Sequence, residues 1–245
     1  MTDPTGRTVL LAGDSTVANY PAVERPMSGW GEHLGGHLNA LLNHGRGADA
    51  EPLHVGVANF AKNGANTSSH RGEGLWDALL WTARPGDVVV IQFGHNDQKL
   101  PTLAAAGGYR RNLAAMVADC RDRGLVPVLC TPVGRRTLGE GLYVSSHGEY
   151  PGVVQDLAGH LGVALVDVEA LSARIYEAHG PDDSRRLFMH LGPWQHHLWR
   201  DGVADDTHFT LRGASEVALA VARELLVVAG GALGTAGDPA GVRRD

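Results

Sequence analysis

The chain has 245 residues, 43% of them hydrophobic, and 21 basic against 27 acidic side chains give a net charge of −6. That length and apolar content suffice for one substantial core, which doubly wound domains of this size can hold undivided. The mild acidity, with no basic patch or aromatic-interleaved Lys/Arg run, argues against nucleic acid as a partner. No run of about 18 apolar residues is present to span a membrane.

Strand-like apolar runs fall at Thr8–Ala12, His54–Ala58, Asp87–Phe93, Val126–Thr131 and Ala164–Val168. Longer amphipathic runs lie between them, at Trp30–Leu42, Glu73–Ala83, Arg110–Arg123, Val153–Leu161 and Glu169–His179, and a last one covers Ala214–Val228. Short β-rich runs alternating with helical ones predict an α/β fold, a three-layer α/β/α sandwich around a five-stranded parallel sheet. No linker interrupts this pattern, so residues 1–229 read as a single domain. The stretch 230–245, rich in Gly, Ala and charge, reads as a flexible tail. Met1 to Arg7 is short and polar, which leaves no room for a signal peptide before the first strand. The expectation is a cytoplasmic protein, or a secreted one whose signal has been removed. Cys120 and Cys130 make no disulfide framework and are expected as reduced core thiols.

The first strand ends in Gly13-Asp14-Ser15-Thr16. A serine at the carboxyl end of a sheet strand stands where open α/β folds collect their ligands. It becomes a nucleophile only beside a base; alone, the motif is a turn with a helix cap. Asp205-Asp206-Thr207-His208 supplies the partners, just before the last helical run. A carboxylate three residues before a histidine can accept its Nδ1–H and leave Nε2 free for the serine proton. Spacing favours Asp205 over Asp206 for this role. Two further turns carry donors suited to a developing oxyanion: Asn59-Phe60-Ala61-Lys62-Asn63-Gly64 and Gly94-His95-Asn96-Asp97. The N–H groups of Ser15 and Gly64 with the Asn96 amide give three donors. Asp14 and Asp97 read as acids that organise their loops through backbone hydrogen bonds.

These blocks resemble those of the SGNH (GDSL-type) hydrolases. Gly-Asp-Ser-Thr, Gly-His-Asn-Asp and Asp-x-Thr-His are similar to the rhamnogalacturonan acetylesterase branch, carbohydrate esterase family twelve. Gly29-Trp30-Gly31-Glu32, Thr131-Pro132-Val133 and His208-Phe209-Thr210 extend the likeness, which runs from about Val9 to about Leu226. The run Ala61-Lys62-Asn63-Gly64-Ala65-Asn66 departs from it, because related enzymes often carry arginine and serine after the glycine. The resemblance implies a flavodoxin-like strand order 2-1-3-4-5. It makes Ser15 the nucleophile, His208 the base and then acid, Asp205 its orienting carboxylate, and Ser15, Gly64 and Asn96 the oxyanion hole. It implies a serine esterase that removes O-acetyl groups from pectic oligosaccharides and needs no cofactor. An esterase for other acetylated sugars or for lipid or aryl esters is the alternative. A non-catalytic carbohydrate-binding domain is the reading from a different class.

An acetyl group offers little for selectivity, so the alcohol side must be read by loops. Trp30, His95, Tyr143, Trp194, His196 and Trp199 are candidate sugar contacts, since aromatic faces stack on pyranose C–H surfaces. Arg135 and Arg136 follow a strand end, where a guanidinium fits a uronate carboxylate. Thirteen histidines raise the question of a metal, with His190, His196, His197, Asp201, Asp205 and His208 close in sequence. No His-Glu-x-x-His or cysteine ligand pattern accompanies them, and His196 and His197 would point apart in an extended segment. No metal is expected. The partners expected are a small-molecule or oligosaccharide substrate, for a monomer or weak homo-oligomer.

Overall fold

Runs such as Val88-Val89-Val90-Ile91 are apolar at every position, which is what a strand covered on both faces requires. The computed structural model describes residues 6–47 and 49–233. In chain order its elements are β1 (Thr8–Gly13), β2 (Met27–Ser28), α1 (Gly31–Asn43), β3 (Gly56–Asn59), α2 (Thr67–Gly72), α3 (Leu75–Thr82), β4 (Val88–Gln92) and α4 (Arg110–Asp122). They continue with β5 (Val126–Cys130), β6 (Leu138–Gly139), β7 (Leu142–Tyr143), α5 (Tyr150–Leu161), β8 (Ala164–Val166), α6 (Val168–Asp183), β9 (Phe188–Leu191), β10 (Val203–Thr210) and α7 (Leu211–Ala229).

Five strands form a parallel sheet in the order β3-β1-β4-β5-β8. Counted along the chain this is the expected 2-1-3-4-5. Side chains alternate across each strand, so the sheet feeds two cores. Val9, Leu11, Val88, Val90 and Val128 meet Leu34 and Leu38 of α1 and Val217, Val221 and Leu225 of α7. Leu10, Ala12, Val89, Ile91 and Leu129 meet Trp76 and Leu79 of α3, Leu113 and Met116 of α4 and Leu157 of α5. Truncating one of these buried leucines to alanine typically costs about 2–5 kcal/mol. Cys120 and Cys130 are free and buried in these cores, and burial pushes the Cys120 thiol up to about 12.

The structure adds elements that the apolar pattern did not announce. Helix α2 begins at Asn66, whose side chain accepts the Ser68 and Ser69 N–H groups while Ser69 Oγ accepts the Asn66 N–H. Helix α7 starts earlier than expected because Thr210 Oγ1 caps it by accepting the Gly213 N–H. β10 pairs antiparallel with both β2 and β9 in a small second sheet. The segment from 230 belongs to the packed structure for its first residues: Leu233 is buried against the α1/α7 core and its N–H bonds Ala229 O. The rest of the expected tail, 234–245, lies outside the described residues.

Candidate active site

Ser15 sits in the turn directly after β1. Gly13 is required there by crowding: a Cβ would meet the Val17 side chain at 2.7 Å and Gln92 O at 3.0 Å. The turn is closed by Val17 and Ala18 N–H groups donating to Asp14 O, and the Tyr20 hydroxyl donates to Ser15 O at 2.9 Å.

His208 reaches this turn from β10 through an irregularity. Between the pairs Ala204↔His190 and Phe209↔Phe188, β10 advances five residues while β9 advances two. The extra residues form a bulge, a device that re-aims side chains beside functional sites. Asp205 Oδ1 accepts the N–H groups of Thr207 (2.7 Å) and His208 (3.0 Å), which shapes the bulge. Asp205 Oδ2 accepts the His208 Nδ1–H at 2.7 Å, and His208 Nε2 lies 3.1 Å from Ser15 Oγ. Burial raises the Asp205 pKa, but the His208 ring and the two backbone donors outweigh it and hold the carboxyl down to about 2. With Asp205 ionised, the proton belongs on Nδ1, and Nε2 is free to accept from the serine.

Asp206 faces elsewhere. Its Oδ1 accepts from Arg136 Nη1 (3.0 Å) and from His190 Nε2 (2.8 Å), and its carbonyl accepts the Arg136 N–H. Arg136 is thereby engaged in holding the bulge.

The other donors come from the strands on either side of β1. Gly64, after β3, has a left-handed φ of 77°, which glycine takes without strain. The Lys62 N–H bonds Gly13 O at 3.1 Å, tying this loop to the serine turn. Asn96, after β4, donates one amide hydrogen to Ala65 O at 2.9 Å, next to Gly64. Its second amide hydrogen and the N–H groups of Ser15 and Gly64 have no protein acceptor among the described residues. Behind them, Asp97 Oδ1 accepts the Thr67 N–H (2.9 Å) and hydroxyl (2.6 Å), and burial pushes its carboxyl up to about 6.

The expected sugar contacts divide. Trp30 is fully buried and its Nε1–H donates to Gln92 Oε1, so it is a core residue. His95 is buried beneath the Ser15 turn, and the Tyr143 hydroxyl donates to Glu169 Oε1 at 2.9 Å; neither is presented as a sugar platform. Trp194, His196 and Trp199 do share one feature, the tip of the β9–β10 hairpin. Trp194 is 79% exposed. His196 lies 4.5 Å from both the His197 and Trp199 rings, so the two histidines stack rather than diverge. Trp199 packs against the cluster of Ala18, Tyr20, Met27 and Met189, and the Ala18 N–H and Tyr20 hydroxyl bond the serine turn, which places the stack beside it. Arg135 is on the opposite, β5 side; with the Gln98 amide assigned so that its oxygen faces the guanidinium, Nη1 and Nη2 donate to it at 2.8 and 2.7 Å. Arg135 makes no carboxylate ion pair among the described residues. No group of three or more His, Cys, Asp or Glu among the described residues is arranged to hold a metal.

Sequence reading missed Tyr20, Gln92 and Gln98 and gave Thr16 no separate role: Tyr20 folds back onto Ser15 O, Gln92 joins Trp30 to Thr16, and Gln98 faces Arg135 from the loop of another strand. Such polar residues carry no local signature.

Comparison with known proteins gives a match over residues 11–215 to the GDSL-like lipase/acylhydrolase family. Rhamnogalacturonan acetylesterase RhgT of Bacillus subtilis is 40% identical over 215 residues, 87% of each chain. A probable rhamnogalacturonan acetylesterase of the same organism, YesY, is 30% identical over 219 residues, 88% of this chain and 90% of that one. The crystal structure of YxiM from Bacillus subtilis superposes with a TM-score of 0.75 at 26% identity, covering 96% of this chain and 58% of the other.

Proposed function

Because the chain belongs to the GDSL-like lipase/acylhydrolase family, we propose that it is a serine esterase removing O-acetyl groups from carbohydrate, with rhamnogalacturonan-derived oligosaccharides as substrate. The observation that carries this reading is the relay Ser15 Oγ to His208 Nε2 at 3.1 Å and His208 Nδ1 to Asp205 Oδ2 at 2.7 Å. The substrate class rests on the names of the two Bacillus subtilis relatives.

In this reading Ser15 Oγ attacks the acetyl carbonyl carbon as His208 Nε2 takes its proton. The carbonyl electrons move onto oxygen, where the N–H groups of Ser15 and Gly64 and the Asn96 amide receive the charge. The tetrahedral species collapses, the C–O bond to the sugar breaks, and the departing alkoxide takes the proton from His208. Acetyl-Ser15 remains. Water then attacks it, giving its proton to His208, and acetate leaves as Ser15 recovers its proton. Each oxyanion donor contributes about 3–4 kcal/mol to such transition states.

The sugar would lie between the aromatic hairpin tip and Arg135. Trp194, His196 and Trp199 offer faces for pyranose C–H groups, and the Arg135 guanidinium, without a carboxylate of its own, suits a galacturonate carboxylate.

Acetate release from a substrate panel tests the reading: acetylated rhamnogalacturonan oligosaccharides, acetylated xylo-oligosaccharides, aryl acetate and aryl octanoate, each with wild type and Ser15→Ala. Release from the pectic oligosaccharides that disappears with Ser15→Ala is the expected result. Turnover confined to xylo-oligosaccharides or to octanoate would overturn the substrate assignment. No release from any substrate by folded wild type would favour a carbohydrate-binding module.

A further inference from the structure

The Ser15 turn rests on a directed chain of buried hydrogen bonds. Trp30 Nε1–H donates to Gln92 Oε1 (3.0 Å), Gln92 Nε2–H to Thr16 Oγ1 (2.8 Å), and Thr16 Oγ1–H to Asp14 Oδ1 (2.8 Å). The Thr16 N–H donates to the same oxygen at 3.0 Å. Every proton in this chain points toward Asp14, the residue joined to Ser15. Yet Asp14 Oδ2 is buried without a hydrogen-bond partner among the described residues, and His95 Nδ1 stands 3.4 Å from it.

His95 is in the same condition. Both its ring nitrogens are buried and unpartnered, and its ring meets His147 edge-on at 4.4 Å. His147 Nδ1 is unpartnered too, 3.8 Å from Glu169 Oε1. Four of the six orphaned buried side-chain atoms among the described residues thus share one cluster behind Ser15. Leaving such an atom unsatisfied costs about 1–3 kcal/mol, more when it is charged. An apolar ring would fill the His95 site without that penalty, so packing does not account for a histidine there.

We propose that His95 is a positioning residue: with its proton on Nδ1 it is the donor for Asp14 Oδ2, and the pair fixes the turn that presents Ser15 to His208. The inference rests on the reading of Ser15 as nucleophile. Burial lowers the His95 imidazolium pKa to about 4, so at neutral pH the ring holds a single proton for this contact. Burial opposes charge on Asp14, but the His95 ring and the Thr16 donors prevail and hold its carboxyl below the usual range. An ionised acceptor therefore faces a neutral donor.

Two substitutions separate positioning from packing. His95→Phe keeps a ring and removes the donor; His95→Asn loses the ring and keeps a donor near the Nδ1 position. On aryl acetate, His95→Phe should lower kcat about 10- to 100-fold with KM little changed, the scale expected for a displaced reacting group. His95→Asn should recover most of that loss. Asp14→Asn should lower kcat similarly, and combining it with His95→Phe should add little. The rate at which a fluorophosphonate labels Ser15 should follow kcat through the series, with thermal melts checking the fold.

Wild-type kcat and labelling rate in folded His95→Phe would overturn the proposal, as would equal losses in the Phe and Asn variants. Should His95→Phe not fold, unchanged turnover and labelling in Asp14→Asn would overturn it instead. Failure of wild type to be labelled at Ser15 would remove the nucleophile reading itself, which is a different outcome.

Discussion

The serine turn and the tip of the β9–β10 hairpin are neighbours through Trp199 but are built differently. Asp14, Ser15 and Thr16 are all buried; Thr16 is tied to β4 through Gln92, and the adjoining Gly13 O ties the turn to the Gly64 loop. The hairpin tip leaves Trp194 79% and Leu198 51% exposed, held by backbone bonds such as Trp194 N–H to Arg200 O. Acyl transfer needs reacting atoms fixed closely, and the sheet end supplies that rigidity. Sugar recognition tolerates adjustment, and in the proposed reading it falls to a loop. Changes in the first region should therefore destroy turnover, and changes in the second should alter substrate preference.

The largest effects should come from the relay. Ser15→Ala and His208→Ala should each lower kcat about 10⁴-fold or more, and the double variant should lose little beyond either single one. Aryl acetate hydrolysis measures this; additive losses would mean that one residue acts structurally. The adjacent carboxylates give a sharper contrast. Asp205→Asn leaves no acceptor for His208 Nδ1–H and should cost about 10⁴-fold in kcat, whereas Asp206→Asn, which faces Arg136 and His190, should cost a few-fold at most. Comparable losses in the two would break the assignment.

That contrast also marks what was legible in the residues. The Asp205–His208 pairing is local, three residues on one bulge, and spacing alone ranked it above Asp206. The five strands of the main sheet were legible because each is an apolar run, although their order followed from the family resemblance. β9 and β10 were not: they pair antiparallel outside the main sheet, and β10 carries Asp205, Asp206 and Thr207 in a bulge that breaks any alternation. Trp30 and His95 looked like sugar contacts because residue type does not reveal which side of a sheet end a ring occupies. Trp30 is fixed in the core by Gln92, 62 residues away. Arg135 and Arg136 were equivalent in sequence, and only Asp206 and Gln98, brought near by folding, tell them apart.

Among the proposed oxyanion donors, Asn96→Ala should lower kcat about 10²- to 10³-fold, read from the same aryl acetate assay. Asp97 tests the buried side through stability. Its folded carboxyl titrates near 6, above the unfolded value, so the group favours the folded state at low pH and that contribution is lost as pH rises through 6. Asp97→Asn should then be more stable than wild type by about 2–3 kcal/mol at pH 8, the gap closing below pH 4. Denaturant unfolding at both pH values checks it.

The smallest effects belong to the hairpin. Trp194→Ala should raise KM for acetylated oligosaccharide several-fold, about 1 kcal/mol, and lower the ratio of oligosaccharide to aryl acetate kcat/KM. An unchanged ratio would remove Trp194 from the sugar platform.

The most direct test is mass spectrometry of the Ser15 peptide after acid quench during aryl acetate turnover. The expected result is a transient acetyl adduct on Ser15 in wild type, absent from Ser15→Ala along with turnover. Steady acetate release from Ser15→Ala, or an adduct on another residue, would contradict the account.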